Sequence, residues 1–155
     1  MKLYLVRHGE AFAKEVDPDQ SLSEAGRANV ERLAAFLDRR GVSAARILHS
    51  GKTRARQTAE IIAEAMADAG VCAARDGLAP NDPAAPIACE FTGLREDTVL
   101  VGHLPFLGNL AARLVVGSED VTVAVFRPAT MVCLEHGVGD GWYVAWMLRP
   151  DMLDG

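Results

Sequence analysis

The stretch LYLVRHGEA, residues 3–11, decides the fold of this 155-residue chain. Its apolar residues predict a strand over 2–6, and the strand ends abruptly in the basic pair Arg7 and His8, followed by Gly9. What Arg7 and His8 do therefore depends on what else the fold brings to the end of this strand.

Strands and amphipathic helices alternate over the first two thirds of the sequence. Apolar residues recur at helical spacing at 23–40, around 61–69 and around 107–114. Two further strands, predicted at 46–49 and 98–101, each precede one of these helices. The alternation predicts an α/β fold, a three-layer α/β/α sandwich with a mostly parallel central sheet.

The last third of the sequence predicts strands without helices between them, at 121–126, 131–135 and 142–147. The last two flank the glycine-rich HGVGDG, residues 136–141, and predict an antiparallel C-terminal hairpin that closes one side of the sheet. Three prolines within 77–88 predict a loop that holds at most one short helix.

Composition narrows the class of protein. Half of the residues are apolar and a quarter are charged, which fits a single globular domain over 1–155. Sixteen basic and twenty-one acidic side chains give a net charge of −5 without a basic block, which argues against a nucleic-acid partner. The apolar start is shorter than a signal-peptide core, and no apolar run approaches the roughly 18 residues of a membrane span, so we expect a cytoplasmic protein with no membrane partner.

Three cysteines, at 72, 89 and 133, are widely spaced and form no CxxC pair. The spacing predicts neither a disulfide framework nor a zinc cluster, and we expect reduced thiols in or near the core. No other group of residues has metal-ligand spacing, so no metal and no cofactor are expected.

Polar residues follow three predicted parallel strands at the point where each ends. They are Arg7-His8-Gly9-Glu10, HSGKTRARQT at 49–58, and Gly102-His103. Ligands of open α/β sheets bind outside the carboxyl ends of the strands. Cations gathered there repel one another unless an anion joins them, so the cluster predicts an anion site formed by Arg7, His8, Arg54 and His103.

Structural roles account equally well for some of these residues when they are taken singly. A histidine at a strand end is often a packing residue, and Arg7 could pair with Glu10. We assign His49 and His136 structural roles only. The tetrapeptide SGKT at 50–53 resembles the end of a P-loop, but Arg46 stands where that motif requires a glycine, so a nucleotide-binding P-loop is not expected.

Four segments in this order resemble the histidine phosphatase superfamily, which also includes the cofactor-dependent phosphoglycerate mutases. They are LVRHGEA at 5–11, LSEAG at 22–26, SGKTRARQT at 50–58 and VGHLP at 101–105. Together they span about two thirds of the chain. Gly51 replaces the proline usual in the third segment, a change that removes no functional side chain.

The resemblance implies a mechanism for the predicted anion site. His8 would attack phosphorus as a neutral imidazole and become a phosphohistidine, which water then hydrolyses. Arg7, Arg54 and His103 would hold the phosphoryl oxygens, and the flanking cations would depress the pKa of His8. Gly9 and Glu10 are expected to line the substrate site, Glu10 without contacting the reacting atoms. Arg56 would point away as a surface charge.

The substrate is predicted from a missing proton donor. Many members of the superfamily carry a glutamate in an L-x-E context that protonates an alkoxide leaving group, and here Leu78-Ala79-Pro80 stands in its place. An imidazole leaving group needs less help than an alkoxide. The short chain and the L-x-P loop resemble the SixA-type phosphohistidine phosphatases, so the expected substrate is phosphohistidine on a partner protein, such as a phosphotransfer domain.

Other functions remain open on the sequence. A phosphatase of small phosphate monoesters would use Asp82 or another carboxylate as its acid, although a loop aspartate is more often a turn former. A mutase is disfavoured because 155 residues leave little room for segments that enclose a substrate. A module that binds phosphoproteins without turnover is the alternative outside the enzymes.

Overall fold

The structure is a computed structural model that describes residues 1–66, 68–137, 139 and 141–153. Over these residues the chain forms one six-stranded sheet in the order β3-β2-β4-β1-β5-β6. The strands are β1 (Lys2–Arg7), β2 (Arg46–His49), β3 (Val71–Ala74), β4 (Thr98–Gly102), β5 (Met131–His136) and β6 (Trp142–Leu148). The helices are α1 (Glu24–Arg39), α2 (Thr53–Ala65), α3 (Ala85–Phe91) and α4 (Phe106–Val116), followed by a 3₁₀ turn at Pro150–Met152.

The sheet is mostly parallel, as the sequence predicts. Strands β1, β2, β3 and β4 run in one direction, whereas β5 pairs antiparallel with both β1 and β6. The register places Arg7 opposite Gly102 and His49 opposite Val101. Three parallel strands therefore end level with one another, and the residues that follow them meet at one edge of the sheet.

The central strand β1 is buried on both faces. Its alternate side chains Tyr4 and Val6 enter one apolar cluster with residues of α1 and α2, while Leu3 and Leu5 enter a second cluster with residues of α3 and α4. Each of these four side chains is at most 3% exposed. Burying a large apolar side chain contributes about 1.5–3 kcal/mol. The strand that carries Arg7 and His8 is thus held from both sides of an α/β/α sandwich.

Helix α1 begins and ends where its sequence predicts. The Ser23 side chain accepts a hydrogen bond from the backbone N–H of Gly26, which caps the first turn. The buried stripe includes Val30, Leu33 and Leu37, spaced as an amphipathic helix requires. Gly41 follows with φ +64°, a left-handed conformation that glycine adopts readily and that ends the helix.

The strand predicted at 121–126 is wrong. This segment has no ladder pairing, and Val121 and Val125 are 51% and 64% exposed. Its β-branched composition favours a strand. However, β1 already pairs with β4 on one side and β5 on the other, so this segment cannot pair with β1. The segment instead crosses the carboxyl edge of the sheet as a loop, where Phe126 is buried.

Other differences from the sequence prediction are smaller. The edge strand β3 was not predicted, since three of its four residues are exposed and show no alternation. Helix α2 stops at Ala65, earlier than the apolar periodicity suggests, because Met66 leaves the helical conformation before the chain enters β3. Of the cysteines, Cys133 is buried as expected, whereas Cys72 and Cys89 are exposed on an edge strand and a surface helix. The hairpin predicted around HGVGDG is present, although residues 138 and 140 lie outside the described part.

Within the described ranges, none of the helices combines the length and apolar character that crossing a membrane would require.

Candidate active site

His8 stands at the end of β1, and its backbone N–H donates to the carbonyl of Gly102 at 3.1 Å. The ring nitrogen Nδ1 lies 2.7 Å from the carbonyl oxygen of Gly9. A carbonyl oxygen only accepts, so Nδ1 carries the proton of the neutral ring and donates it there. The other nitrogen, Nε2, therefore has a free lone pair.

The turn after β1 is fixed by helix α2. The backbone N–H of Gly9 donates to the hydroxyl of Thr58 at 3.0 Å, and that hydroxyl donates to the carbonyl of Arg54 at 2.8 Å. Thr58 is fully buried. This chain of two hydrogen bonds sets the distance between the segment that carries His8 and the helical turn that carries Arg54.

Two glycines let helix α1 begin directly against this turn. A Cβ on Gly26 would lie 1.9 Å from the carbonyl oxygen of Glu10, and one on Gly9 would lie 2.7 Å from a methyl group of Val30. Neither position has room for a side chain. The glycine of LSEAG is thus explained by the close approach of α1 to the residues after His8.

Two guanidinium groups flank His8. Arg54 points its Nε at Nε2 of His8, 3.4 Å away, which agrees with a lone pair on that nitrogen. Arg7 donates from Nη1 to the carbonyl of Phe126 at 2.8 Å. The pairing of Arg7 with Glu10 that the sequence left open does not form. Among the described residues, neither arginine has a carboxylate partner.

His103 completes the cluster. Its ring centroid lies 5.0 Å from that of His8, and the residue is 2% exposed. Its Nε2 lies 2.6 Å from the hydroxyl oxygen of Ser50. Its Nδ1 is enclosed and has no hydrogen-bond partner within the described structure.

Burial and neighbouring cations keep both histidines uncharged near neutral pH. Burial is the largest cause that lowers the pKa of His8 to about 4; the hydrogen bond to Gly9 opposes it, and the charges of Arg54 and Arg7 add to it. Burial, followed by repulsion from a protonated His8 ring and from Arg54, lowers the pKa of His103 to about 3. The depressed pKa of His8 expected from the flanking cations is therefore found, with burial as the larger cause.

The site thus combines a neutral imidazole with two guanidinium groups that no described carboxylate neutralises. This arrangement attracts an oxyanion and presents to it a nitrogen lone pair. Arg7, His8, Arg54 and His103 come together as the sequence predicts.

The remaining residues singled out in the sequence lie outside this cluster. Arg56 is exposed and pairs with Glu60 one helical turn away. The side chain of Glu10 is exposed, and its carbonyl accepts from the backbone N–H of Ser23. His49 is buried and accepts from the N–H of Gly51, and His136 packs edge-on against Trp142 at the far end of the sheet.

The loop that carries Pro80 reaches the carboxyl edge near Gly102. A Cβ on Gly102 would lie 3.6 Å from the carbonyl oxygen of Leu78. Within this loop Asp82 accepts the backbone N–H of Ala79 at 2.8 Å through Oδ2. Asp82 thus caps its own turn, which is the ordinary role of a loop aspartate.

Three groups in the site were not predicted from the sequence: the hydroxyls of Ser50 and Thr58 and the carbonyl of Phe126. Ser50 and Thr58 lie within the segment SGKTRARQT, so their proximity to Arg54 was a usable signal. No sequence signal pointed to the carbonyl of Phe126, because every residue has a backbone carbonyl. In the part of the chain that is described, no three His, Cys, Asp or Glu side chains are grouped as metal ligands.

We expect the free energy of unfolding to fall as the pH drops from about 6.5 towards about 4. The folded-state pKa values of His8 and His103, about 4 and about 3, lie below the 6.5 of an unfolded histidine. Over this window the unfolded chain binds protons that the folded chain does not, so acid favours unfolding by up to about 1.4 kcal/mol per pH unit for each ring. Denaturant titrations at pH 7.5 and 5 should show a smaller fall in the double variant His8→Gln, His103→Gln; an equal fall would contradict the assignment.

Comparison with known proteins finds a family model that matches about half of the chain. Residues 3–78 match the model of the histidine phosphatase superfamily, branch 1. No curated protein sequence matches the chain. The matched stretch, about half of the chain, contains His8 and Arg54, and over it the sequence is similar to this superfamily.

Solved structures share the fold at low sequence identity. The protein histidine phosphatase SixA complexed with tungstate has a TM-score of 0.85 at 20% identity, over 98% of this chain and 99% of that chain. A putative phosphohistidine phosphatase SixA from Agrobacterium tumefaciens has a TM-score of 0.78 at 24% identity, over 96% and 97%. A mycobacterial glucosyl-3-phosphoglycerate phosphatase has a TM-score of 0.69 at 20% identity, over 94% and 97%. The three-layer architecture is common to all of them.

Proposed function

We propose that the chain is a phosphatase that works through a phosphohistidine on His8 and acts on phosphohistidine of a partner protein. The observation that carries the proposal is the hydrogen bond from Nδ1 of His8 to the Gly9 carbonyl, 2.7 Å long. It leaves the lone pair of Nε2 facing the guanidinium of Arg54, where a phosphoryl group would be held.

The reaction follows in two displacements. In the first, Nε2 of His8 forms a bond to phosphorus while the bond from phosphorus to the leaving nitrogen of the substrate breaks. In the second, a water oxygen bonds to phosphorus, the bond to Nε2 breaks, and orthophosphate leaves. The pKa of His8, lowered to about 4, keeps the ring unprotonated and able to attack at neutral pH.

The phosphoryl oxygens are assigned to Arg7, Arg54 and His103. The two guanidinium groups have no described carboxylate partner, so their charge is available to a transition state that spreads negative charge over three oxygens. The carbonyl of Phe126 fixes Arg7, and the hydroxyl of Thr58 fixes the turn that carries Arg54. Gly9 supports the site through its backbone, and Glu10 borders it. The related SixA structure was solved with tungstate, an oxyanion.

The preference for phosphohistidine rests on the leaving group. Pro80 cannot donate a proton, and Asp82 uses one carboxylate oxygen to cap its turn. General acid catalysis contributes about 10²–10⁴-fold where the leaving group is a poor one. A site without an acid is therefore suited to imidazole, which departs more readily than an alkoxide.

A phosphatase of small monoesters is the second candidate. The other carboxylate oxygen of Asp82 has no hydrogen bond within the described structure, and the loop reaches the edge of the site. The similar mycobacterial structure is a glucosyl-3-phosphoglycerate phosphatase. For a module that binds without turnover, the free lone pair of His8 would have no use.

A substrate panel tests the proposal. We expect phosphohistidine of a carrier protein to be hydrolysed fastest, an activated aryl phosphate more slowly, and an alkyl phosphate slowest. The expected spread between the first and the last is of the order of the 10²–10⁴-fold that a general acid would supply. Phosphate release measured under identical conditions gives the ranking.

Asp82→Asn separates the two candidate substrates, because it removes any acid function while nearly keeping the shape. Asp76→Asn, an exposed residue of the same loop, is the matched control. We expect neither change to alter the rate on an alkyl phosphate. If Asp82→Asn alone lowers that rate by about 10²-fold, and the wild type hydrolyses the ester as fast as phosphohistidine, the monoesterase is the better assignment.

A further inference from the structure

The hydroxyl of Ser50 is the one hydrogen-bond partner of the His103 ring within the described structure. Its oxygen lies 2.6 Å from Nε2 of that ring, while Nδ1 is enclosed and has no partner. The residue directly follows β2, and the register that sets His49 opposite Val101 places Ser50 level with Gly102, the residue before His103. A half-turn flip of the ring would exchange its nitrogen and carbon atoms, and among the described residues no other contact selects one of these two orientations.

The unpaired Nδ1 indicates where the ring proton lies. A proton on Nδ1 would leave a buried N–H without an acceptor, and buried N–H groups are almost always paired. With the proton on Nε2, the N–H donates to the Ser50 oxygen and Nδ1 is left as an acceptor only. The second arrangement avoids the unpaired donor, so Nε2 carries the proton.

Ser50 is itself held in place. The turn after it depends on Gly51, whose φ of +89° lies in the region that glycine adopts readily. The backbone N–H of Lys52 donates to the Ser50 oxygen at 3.3 Å. Since this oxygen accepts from both Lys52 and His103, its own O–H proton is free for a third partner.

We infer that Ser50 is a positioning residue: in the free site its hydroxyl oxygen accepts the proton on Nε2 of His103 and so fixes the ring, and a bound phosphoryl oxygen then takes over this N–H from Ser50. The inference rests on the proposed function, because it assumes that His103 contacts the transferred group. Nε2 is the ring nitrogen able to do so, since Nδ1 is enclosed. Without Ser50 the ring would lose the contact that selects its orientation, although the phosphate would still meet Arg7 and Arg54.

Kinetics give the first test. Ser50→Ala should lower kcat/KM by about 5- to 10-fold, the amount expected for one hydrogen bond between neutral groups, and equally for phosphohistidine and an aryl phosphate. Ser50→Thr keeps the hydroxyl and should stay within about threefold of wild type. Ser43→Ala, an exposed serine before the opposite end of β2, is the matched control. Equal activity of Ser50→Ala and Ser43→Ala would overturn the inference.

The nitrogen resonances of the His103 ring give a test that needs no activity. In the wild type near neutral pH, Nε2 should show the shift of a protonated ring nitrogen, with a ring N–H protected from exchange with water. In Ser50→Ala that protection should disappear, and in Ser50→Thr it should remain. A wild-type ring protonated on Nδ1, or protection that persists in Ser50→Ala, would overturn the inference. A wild type that hydrolyses no phosphorylated substrate would instead overturn the proposed function, while the resonances still decide the role of Ser50.

Discussion

Replacement of His8 by alanine is expected to lower the hydrolysis of phosphohistidine by about 10⁴-fold or more, since no other group can form the covalent intermediate. The thermal midpoint should stay near that of the wild type, because the ring is partly exposed and makes only two hydrogen bonds to described residues, one to the Gly9 carbonyl and a long one of 3.4 Å from Arg54. Steady-state phosphate release and a thermal melt measure the two quantities.

His136→Ala is the matched control for this prediction, since it removes a histidine at the far end of the sheet and should leave the rate unchanged. Mass spectrometry of the wild-type enzyme quenched during turnover should find phosphate on His8, in a linkage that acid cleaves. A phosphate on another residue, or substantial turnover by His8→Ala, would show that His8 is not the nucleophile.

Replacement of Arg54 by lysine should lower kcat/KM by about 10²–10³-fold, although the charge is conserved. The Nε of Arg54 faces Nε2 of His8 at 3.4 Å, so the planar guanidinium lies where the attacked phosphoryl group must bind. An ammonium group cannot donate two parallel hydrogen bonds to neighbouring oxygens. The kinetics should show the loss with every leaving group, since the contact is made to the transferred phosphoryl group.

Arg56→Lys provides the same substitution two residues further along α2. Its guanidinium is exposed and pairs with Glu60, so this variant should keep the wild-type rate. If Arg54→Lys were as active as Arg56→Lys, the phosphoryl group would have to be held without a bidentate contact to Arg54.

Local sequence patterns predicted the parts of the fold that depend on local interactions. Helix α1 has its cap at Ser23, its apolar stripe and its stop at Gly41 within one segment, so its bounds could be predicted closely. The segment 121–126 has equally strong strand composition and forms no strand, because β1 already has a partner on each side. Strand β3 is the reverse case. Its sequence shows no strand pattern, and the segment is a strand because it pairs with β2.

The residues of the candidate site could likewise be predicted, because each follows a parallel strand and the ends of such strands share one edge of the sheet. Arg7, His8, Arg54 and His103 were all located in this way. That Pro80 leaves the site without a general acid stays a prediction from the sequence. It could not show how Arg7 is held, since Phe126 lies 119 residues away and offers a backbone carbonyl.

What the sequence by itself determined is therefore the family resemblance, the α/β/α class and the identity of the four clustered side chains. Only the tertiary structure decided which nitrogen of His8 is free, that the Arg7 guanidinium is fixed by Phe126, and that Ser50 meets His103. The periodicity of apolar residues and helix capping involve only a few neighbouring residues, so both can be recognised in a short stretch of sequence. The hydrogen bond that sets the tautomer of His8 depends on the conformation of the turn after β1, and those that hold Arg7 and His103 join residues far apart in the sequence. Each requires atoms placed within tenths of an ångström, and no local pattern encodes that distance.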